Sequence, residues 1–420
     1  MRNRLGNLTI RNLIISYILL YSIMPIVSRL TSSYLTTFFY MGLVVILVVL
    51  ILALDRPDNL NEYFTFLFPL FLYELLTFFS ASGNRIFWLY QVLLVMLPVI
   101  LGYYFSQDSS RIINSYSRII IIAVIITMIS TIIGCIQNPS AARILATVNS
   151  SDAQSYQYDM ANIGGYSFIY IIVLLYPIAI LAYKTRRIRL VPAIIIALLV
   201  LLTILFSEYT TALLLFIISS LLFFTKRTLS AKGILIISVL AIFFLFIFNS
   251  FIIDFLHWLG EVVESDDITR RLNALAGGAA GLEQSEDNRL ALYMISINNF
   301  IKNPFFGTLF NEWRASGGHS FILDSLSYFG SVGGIFLFFV YKRIFIQFFL
   351  PFKDKPGFGY VVWTFIQAII LSIVNTGMWL EVLCLFAPIL FYWIYGTELE
   401  SEEVKDEDTV DSQHAAGPAG

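Results

Sequence analysis

Apolar stretches of about twenty residues, the length that crosses a hydrocarbon layer as a helix, recur along this chain and leave it few other folds. Twelve can be counted, near residues 10–30, 34–54, 63–81, 86–105, 118–136, 163–183, 190–206, 209–225, 233–253, 320–341, 358–377 and 379–396. Lipid offers no partner for a free backbone amide, so each such stretch must be helical. The expectation is an all-α polytopic membrane protein with about twelve transmembrane helices. Only 13% of the 420 residues are charged, against about 25% in a soluble domain, which excludes the ordinary soluble class. The first stretch follows Arg2, Arg4 and Arg11 without a small-residue cleavage signature, so it reads as a membrane helix rather than a leader.

Basic residues concentrate in alternate connections: Arg56, then Arg111 and Arg118, Lys184 to Arg189, Lys226 to Lys232, and Lys342 to Lys355. The positive-inside tendency then predicts cytoplasmic N- and C-termini. The opposite short connections carry Arg29 and Arg85. Residues 1–253 thus read as spans one to nine, with an outer loop at 137–162. Residues 254–319 form a 66-residue extracytoplasmic loop between spans nine and ten, and 320–396 carry spans ten to twelve. The tail, 397–420, holds eight acids and one lysine, and its composition predicts disorder on the cytoplasmic side. Without it the chain has 25 basic and 20 acidic residues, a net +5 spread between apolar runs. That distribution excludes a nucleic-acid binder, which would gather base on one face.

A long polar connection in a compact fold is usually functional or disordered, so the candidate chemistry lies in 254–319. Within it, Leu290, Tyr293, Met294 and Ile297 recur at helical spacing and predict an amphipathic helix from Arg289 to Lys302 that Asn303-Pro304 ends. The loop carries nine acids against five bases, Arg270, Arg271, Arg289, Lys302 and Arg314; Arg143 lies in the first outer loop. Guanidinium forks suit phosphate oxygens, which they meet with paired hydrogen bonds. The alternative is that each arginine pairs with a nearby carboxylate such as Glu264, Asp266, Asp267 or Asp287. His319, in Gly317-Gly318-His319-Ser320, can accept and release a proton near neutrality; the alternative is an interfacial histidine bonded to a backbone carbonyl. Trp258, Trp313 and Tyr293 are candidates for stacking on sugars. Asp324 reads as a cap on the local network, Glu208 and Glu381 as watered span ends, and Gly330, Gly333 and Gly334 as positions of close helix approach. With three histidines and two cysteines outside ligand spacing, no metal site or cofactor is predicted.

Asp287-Asn288-Arg289, the amphipathic stretch, Lys302-Asn303-Pro304-Phe305-Phe306-Gly307, and then His319-Ser320 with nine residues, Gly330, two residues and Gly333 follow in that order. This arrangement resembles the signature of the O-antigen polymerase and O-antigen ligase superfamily. Arg270, ten residues and Gly281 also resembles an arginine–glycine pattern of the polymerase loops. The resemblance implies a GT-C-like fold and a metal-independent glycosyltransferase acting on undecaprenyl-diphosphate-linked oligosaccharides. The reaction would take place at the outer face of the bacterial cytoplasmic membrane, building a surface polysaccharide. By the same resemblance His319 is the general base for the acceptor hydroxyl, with Arg289 beside it. Arg289 and Arg143 hold the diphosphate, joined by Arg270, Arg271 and Arg314 as further basic candidates. A chain-length regulator and a flippase are implied as partners, together with membrane lipids. The chain departs from the pattern at Ser207-Glu208-Tyr209, where relatives carry Ser-Arg, which puts that part of the phosphate site in question. Two rival functions remain: a ligase moving finished polymer to lipid A-core, and a transporter or flippase of lipid-linked sugar. Transporters place substrate residues mid-membrane in repeated halves, whereas polar content here gathers in one outer loop.

Overall fold

The computed structural model describes residues 2–34, 60–80, 95–102, 110–139, 141–147, 153–221, 289–310 and 316–396, with isolated positions at 233, 258 and 269. Helices and turns account for the described residues, without a strand among them. The helices are α1 (Arg2–Ile23), α2 (Pro25–Tyr34), α3 (Leu60–Ser80), α4 (Ser110–Gln137), α5 (Ala141–Thr147), α6 (Ala153–Met160) and α7 (Tyr166–Lys184). They continue as α8 (Leu190–Ser207), α9 (Thr210–Leu221), α10 (Arg289–Lys302), α11 (Phe321–Phe348), α12 (Phe358–Val374) and α13 (Glu381–Gly396).

The core forms around α7, which is apolar on every side and buried continuously from Phe168 to Ile178, as expected of a helix with no polar face. It packs against α8, α9 and α12. Helix α4 shows the opposite pattern. Ile113, Tyr116, Ile120, Ala123 and Met128 turn inward, while Ile122, Ile126, Ile129, Ile133 and Ile136 form an exposed stripe. Helix α8 likewise exposes Val191, Ile194, Ile195 and Leu198. Contiguous apolar faces of this kind are rare on proteins surrounded by water. The chain is a membrane protein, and these stripes are its lipid-facing surface. Hydroxyls inside the helices bond back to their own turns, as Thr131 does to the Thr127 carbonyl (2.6 Å) and Thr203 to that of Leu199 (2.7 Å).

The expected number of spans is overturned. Among the described residues four helical segments are long and apolar enough to cross a membrane, Ile113–Gln137, Tyr166–Lys184, Leu190–Ser207 and Phe321–Phe348, and a bent pair would make a fifth. The twelve-span, GT-C-like arrangement is therefore not the fold, and the numbering of spans nine and ten around 254–319 falls with it. Hydropathy counts apolar residues, whereas a span needs them in one unbroken helix. The run at 10–30 divides at Met24 into two helices inclined by 112°, because Pro25 begins a new helix where its missing amide does no harm. The run at 209–225 supplies the 12-residue α9, and that at 358–377 leaves the helix at Asn375 after 17 residues. The apolar part of α3, Leu67–Phe78, and α13 are short as well. Residues 35–54, 86–94, 103–105, 222–225 and 234–253, and the acidic tail, lie outside the described residues.

Two joints hold the irregular parts. At the α1–α2 elbow the Tyr17 and Thr31 hydroxyls bond to each other. Asn162 meanwhile accepts from the Ile26 amide (3.3 Å) and donates to the Thr127 hydroxyl (3.1 Å). The second joint interrupts α11 at Gly330, whose φ of 61° and ψ of −154° are not helical and belong to a region essentially reserved for glycine. The turn after α10 docks into that interruption. The Ser331 amide donates to the Pro304 carbonyl (2.7 Å), the Val332 amide to that of Phe305 (3.2 Å), and the Thr308 amide to that of Ser327 (2.9 Å). A Cβ on Gly330 would strike the Phe305 carbonyl and the Gly307 amide. Asn303-Pro304-Phe305-Phe306-Gly307 and Gly330 are thus two halves of one backbone joint. Gly330 admits a turn, a correction to its reading as a helix-packing glycine.

Candidate functional site

The His319 turn is fixed from beneath by a polar network. Ser320 caps α11, its hydroxyl accepting from the Leu323 amide at 3.0 Å, as N-cap serines do. Asp324, one turn on, uses both carboxylate oxygens: one accepts from the Ser296 hydroxyl (2.6 Å), the other from the Ser320 amide (3.1 Å). The Gly317 amide donates to the same Ser296 oxygen (2.9 Å), and Ser316 donates to the Tyr328 hydroxyl (2.7 Å). Gly318 takes a φ of +72° at the exposed apex. His319 is half-buried between this apex and buried Ser320.

Helix α10 supplies the brace, since Ser296 and Tyr293 both point inward from it. Tyr293 is buried, and its hydroxyl donates to the Val374 carbonyl at 2.9 Å. The ring proposed to stack on sugar is therefore a packing element. Met294, expected on the same apolar face, points outward with Ile295 and Ile301.

The Phe321 amide donates to the Asn375 carbonyl at 2.9 Å, so the turn adjoins the strap 375–379 between α12 and α13. This strap lines a cavity of about 560 Å³ bounded by α1, α7, residues 95–101 and the start of α13, within the size range of ligand pockets. Trp379 is buried and holds a φ of 57°, a conformation bulky residues seldom adopt. Its ring lies 5.5 Å from that of Tyr170 and 6.5 Å from that of Tyr166, and Tyr209 sits 6.0 Å from both tyrosines. The Trp379 Nε1 and Asn375 Nδ2 atoms are buried without hydrogen-bond partners. Glu381, the first residue of α13, has its side chain exposed in the cavity wall.

A second cavity of about 490 Å³ shares Tyr21, Ser22, Tyr166 and Ser167 with the first. Arg29 lines it, with its Nε 3.9 Å from Asp159 Oδ2 and its guanidinium 5.0 Å above the Tyr156 ring. Burial pushes the Asp159 carboxyl above its ordinary range, while the Arg29 charge acts in the opposite direction.

The remaining sequence candidates are dispersed. Arg289 opens α10, and Arg143 is exposed on α5 beside buried Ala141 and Ala142. Trp258 is an exposed helical residue. Arg270, Arg271, Trp313 and Arg314 lie outside the described residues. The structure thus ties the backbone on either side of His319 to Asp324 and Ser296 and, through the strap, to a cavity, while Glu208, expected at a watered span end, is buried. Trp379 and Glu381 stand far in sequence from Tyr166 and Ile18 across that cavity, and no local spacing marks them. Among the described residues no group of three or more histidine, cysteine or acidic side chains is placed to hold a metal ion. Comparison with protein-family models and with curated protein sequences finds no match to this chain.

Proposed function

We propose that this chain is a glycosyltransferase that joins lipid-diphosphate-linked oligosaccharide units into a surface polysaccharide, related to the O-antigen polymerases that its motifs resemble. The reading places it in a bacterial cytoplasmic membrane, termini inside and His319 at the outer face. The chain order supports that placement. Lys184 ends α7 at the pole opposite the cavity with Arg186 and Arg187 in the turn that follows, and Lys353 and Lys355 precede α12 at that same pole. The observation that carries the reading is the His319 turn, held by Asp324 and Ser296 and joined to a cavity through one backbone bond.

In the proposed reaction the acceptor hydroxyl attacks the anomeric carbon of the donor. The carbon–oxygen bond to the diphosphate breaks, its electron pair remaining on phosphate, and a new glycosidic bond forms. An unprotonated nitrogen of His319 takes the hydroxyl proton, a contribution of about 10²–10⁴-fold in rate for a positioned base. Developing phosphate charge requires fixed cations, the role assigned to Arg289 and Arg143, with Arg270, Arg271 and Arg314 as further ligands. A chain-length regulator and a flippase supplying lipid-linked units are the proposed partners.

A cellular experiment tests the reading. In a strain deleted for this gene, the wild-type copy restores long polymer. His319→Ala or Arg289→Ala protein at equal abundance leaves single repeats on the acceptor. Full-length polymer from both variants would overturn the assignment, and long polymer stranded on the carrier lipid in the deletion strain would instead make the chain a ligase.

A further inference from the structure

The proposed reaction makes no use of the end of the molecule opposite the strap cavity, where the structure holds a hollow of a different kind. Val124 and Met128 of α4, Leu175 of α7, Val200 of α8 and Leu390 of α13 face a volume of about 130 Å³. All but two of the side chains that line it are aliphatic or methionine, the exceptions being Tyr176 and Trp393. The Tyr176 hydroxyl is engaged, accepting from that of Ser220 (3.2 Å). A cavity so lined stays dry and suits hydrocarbon; one of similar size holds a molecule of about six carbons. It is not sealed, since Ile121, Ile125, Ile196 and Trp393 in its wall are half-buried. Ile122, Ile126 and Ile195, their chain neighbours, belong to the lipid-facing stripes of α4 and α8.

One end of this hollow meets a basic turn. Ala182 and Ile188 line it, and Lys184, Arg186, Arg187 and Arg189 surround Ile188 in a stretch, residues 160–207, that contains no acid. Backbone bonds close the turn: the Arg187 and Ile188 amides both donate to the Ala182 carbonyl (2.8 and 3.1 Å), and Arg186 takes a φ of 63°. The Arg187 guanidinium lies 5.4 Å from the centre of the Trp393 ring in the cavity wall. No carboxylate among the described residues is paired with Arg186, Arg187 or Arg189. A dry slot for hydrocarbon beside fixed guanidinium groups matches one class of molecule, because anionic lipids favour basic pockets between membrane helices. We propose that the hollow and the turn form a site for one anionic phospholipid, an acyl chain occupying the hollow and the headgroup phosphate meeting Arg187 and Arg189. Guanidinium forks suit phosphate oxygens, and Ile188 between the two arginines makes the headgroup and chain positions continuous. The inference rests on the membrane-facing surface and is independent of the glycosyltransferase reading.

The test uses full-length protein in phosphatidylcholine nanodiscs and lipids brominated along the acyl chain, which quench a nearby indole. Each measurement is paired with its Trp393→Phe counterpart, so that the difference isolates the Trp393 signal from those of the other tryptophans. Brominated phosphatidylglycerol should quench that signal at a lower mole fraction than brominated phosphatidylcholine does. Arg187→Gln and Arg189→Gln should each reduce this preference about fivefold, the factor one cation contributes at an anionic membrane surface. Val124→Phe, which extends a ring into the hollow and changes no charge, should remove the preferential quenching, with thermal melting checking that every variant is folded. Equal quenching by the two lipids in wild type overturns the site and leaves the arginines to another anion, the chain's own acidic tail among them. A preference unchanged in both arginine variants overturns it too. So does a preference that survives Val124→Phe, which would reduce the turn to a general attraction for an anionic surface.

Discussion

The His319 turn and the strap cavity lie at the same end of the molecule but handle their polar groups in opposite ways. Around the turn the Asp324 carboxylate has both oxygens engaged, Ser296 both donates and accepts, and Ser320 caps its helix. Along the strap, Asn375 Nδ2 and Trp379 Nε1 are buried with no hydrogen-bond partner. A satisfied network fixes geometry, since any displacement would strand a desolvated group. Along the strap the unpartnered atoms are sealed from open volume, so its polar groups stay incompletely satisfied. The turn is thus a satisfied network and the strap an incompletely satisfied one.

The largest expected effect breaks the joint beneath the turn. Gly330→Ala combines a forbidden backbone conformation with a clash on the Phe305 carbonyl, and should destabilise the protein by roughly 2–4 kcal/mol. A large loss of folded protein after solubilisation would record it; near-normal yield and melting temperature would show that the interruption of α11 is not as described. Next, Asp324→Ala removes the acceptor of two hydrogen bonds, each worth about 0.5–1.5 kcal/mol. Melting temperature and turnover should both fall, with Asp324→Asn recovering part of each because one carbonyl acceptor remains. Equal turnover in Asp324→Ala and wild type would separate the network from His319. Smaller still, Trp379→Phe leaves a ring in the buried site but vacates part of its volume, and should cost about 1 kcal/mol. A loss as large as that of Asp324→Ala would make the strap a second fixed element and erase the contrast.

The smallest effect concerns the second cavity. Burial raises the Asp159 carboxyl pKa in the folded protein, so folding favours its protonated form. That contribution is complete below the unfolded carboxylate pKa and is lost as pH rises through the higher folded value. Asp159→Asn should flatten the pH dependence of melting across that window, by an amount within the roughly 0–1 kcal/mol of an ion pair near the surface. An unchanged profile would show that Asp159 does not couple to folding.

Much of the local architecture is legible in the sequence. Helix α10 begins and ends where periodicity and Asn303-Pro304 put it, and Asp324 lies within reach of the Ser320 amide as a capping residue should. Span number is not legible, because apolar composition does not reveal where a helix stops. Pro25 restarts the chain at 112° to α1, and the apolar run after Phe358 continues past the end of α12. Gly330 stands out as a glycine, but whether it serves packing or a left-handed backbone depends on Pro304 and Phe305 docking from another segment. Met294 and Tyr293 share helical spacing yet face opposite ways, since α11 covers only one side of α10. Trp379 and Glu381 gain meaning only from the distant residues that close the cavity.

The most direct measurement of the central claim is elongation of purified lipid-linked repeat units by the protein in nanodiscs, with EDTA present. A polymer ladder should form with wild type, and its rate should fall by about 10²–10⁴-fold with His319→Ala. A ladder from His319→Ala at the wild-type rate, or no ladder from folded wild type, would contradict the account.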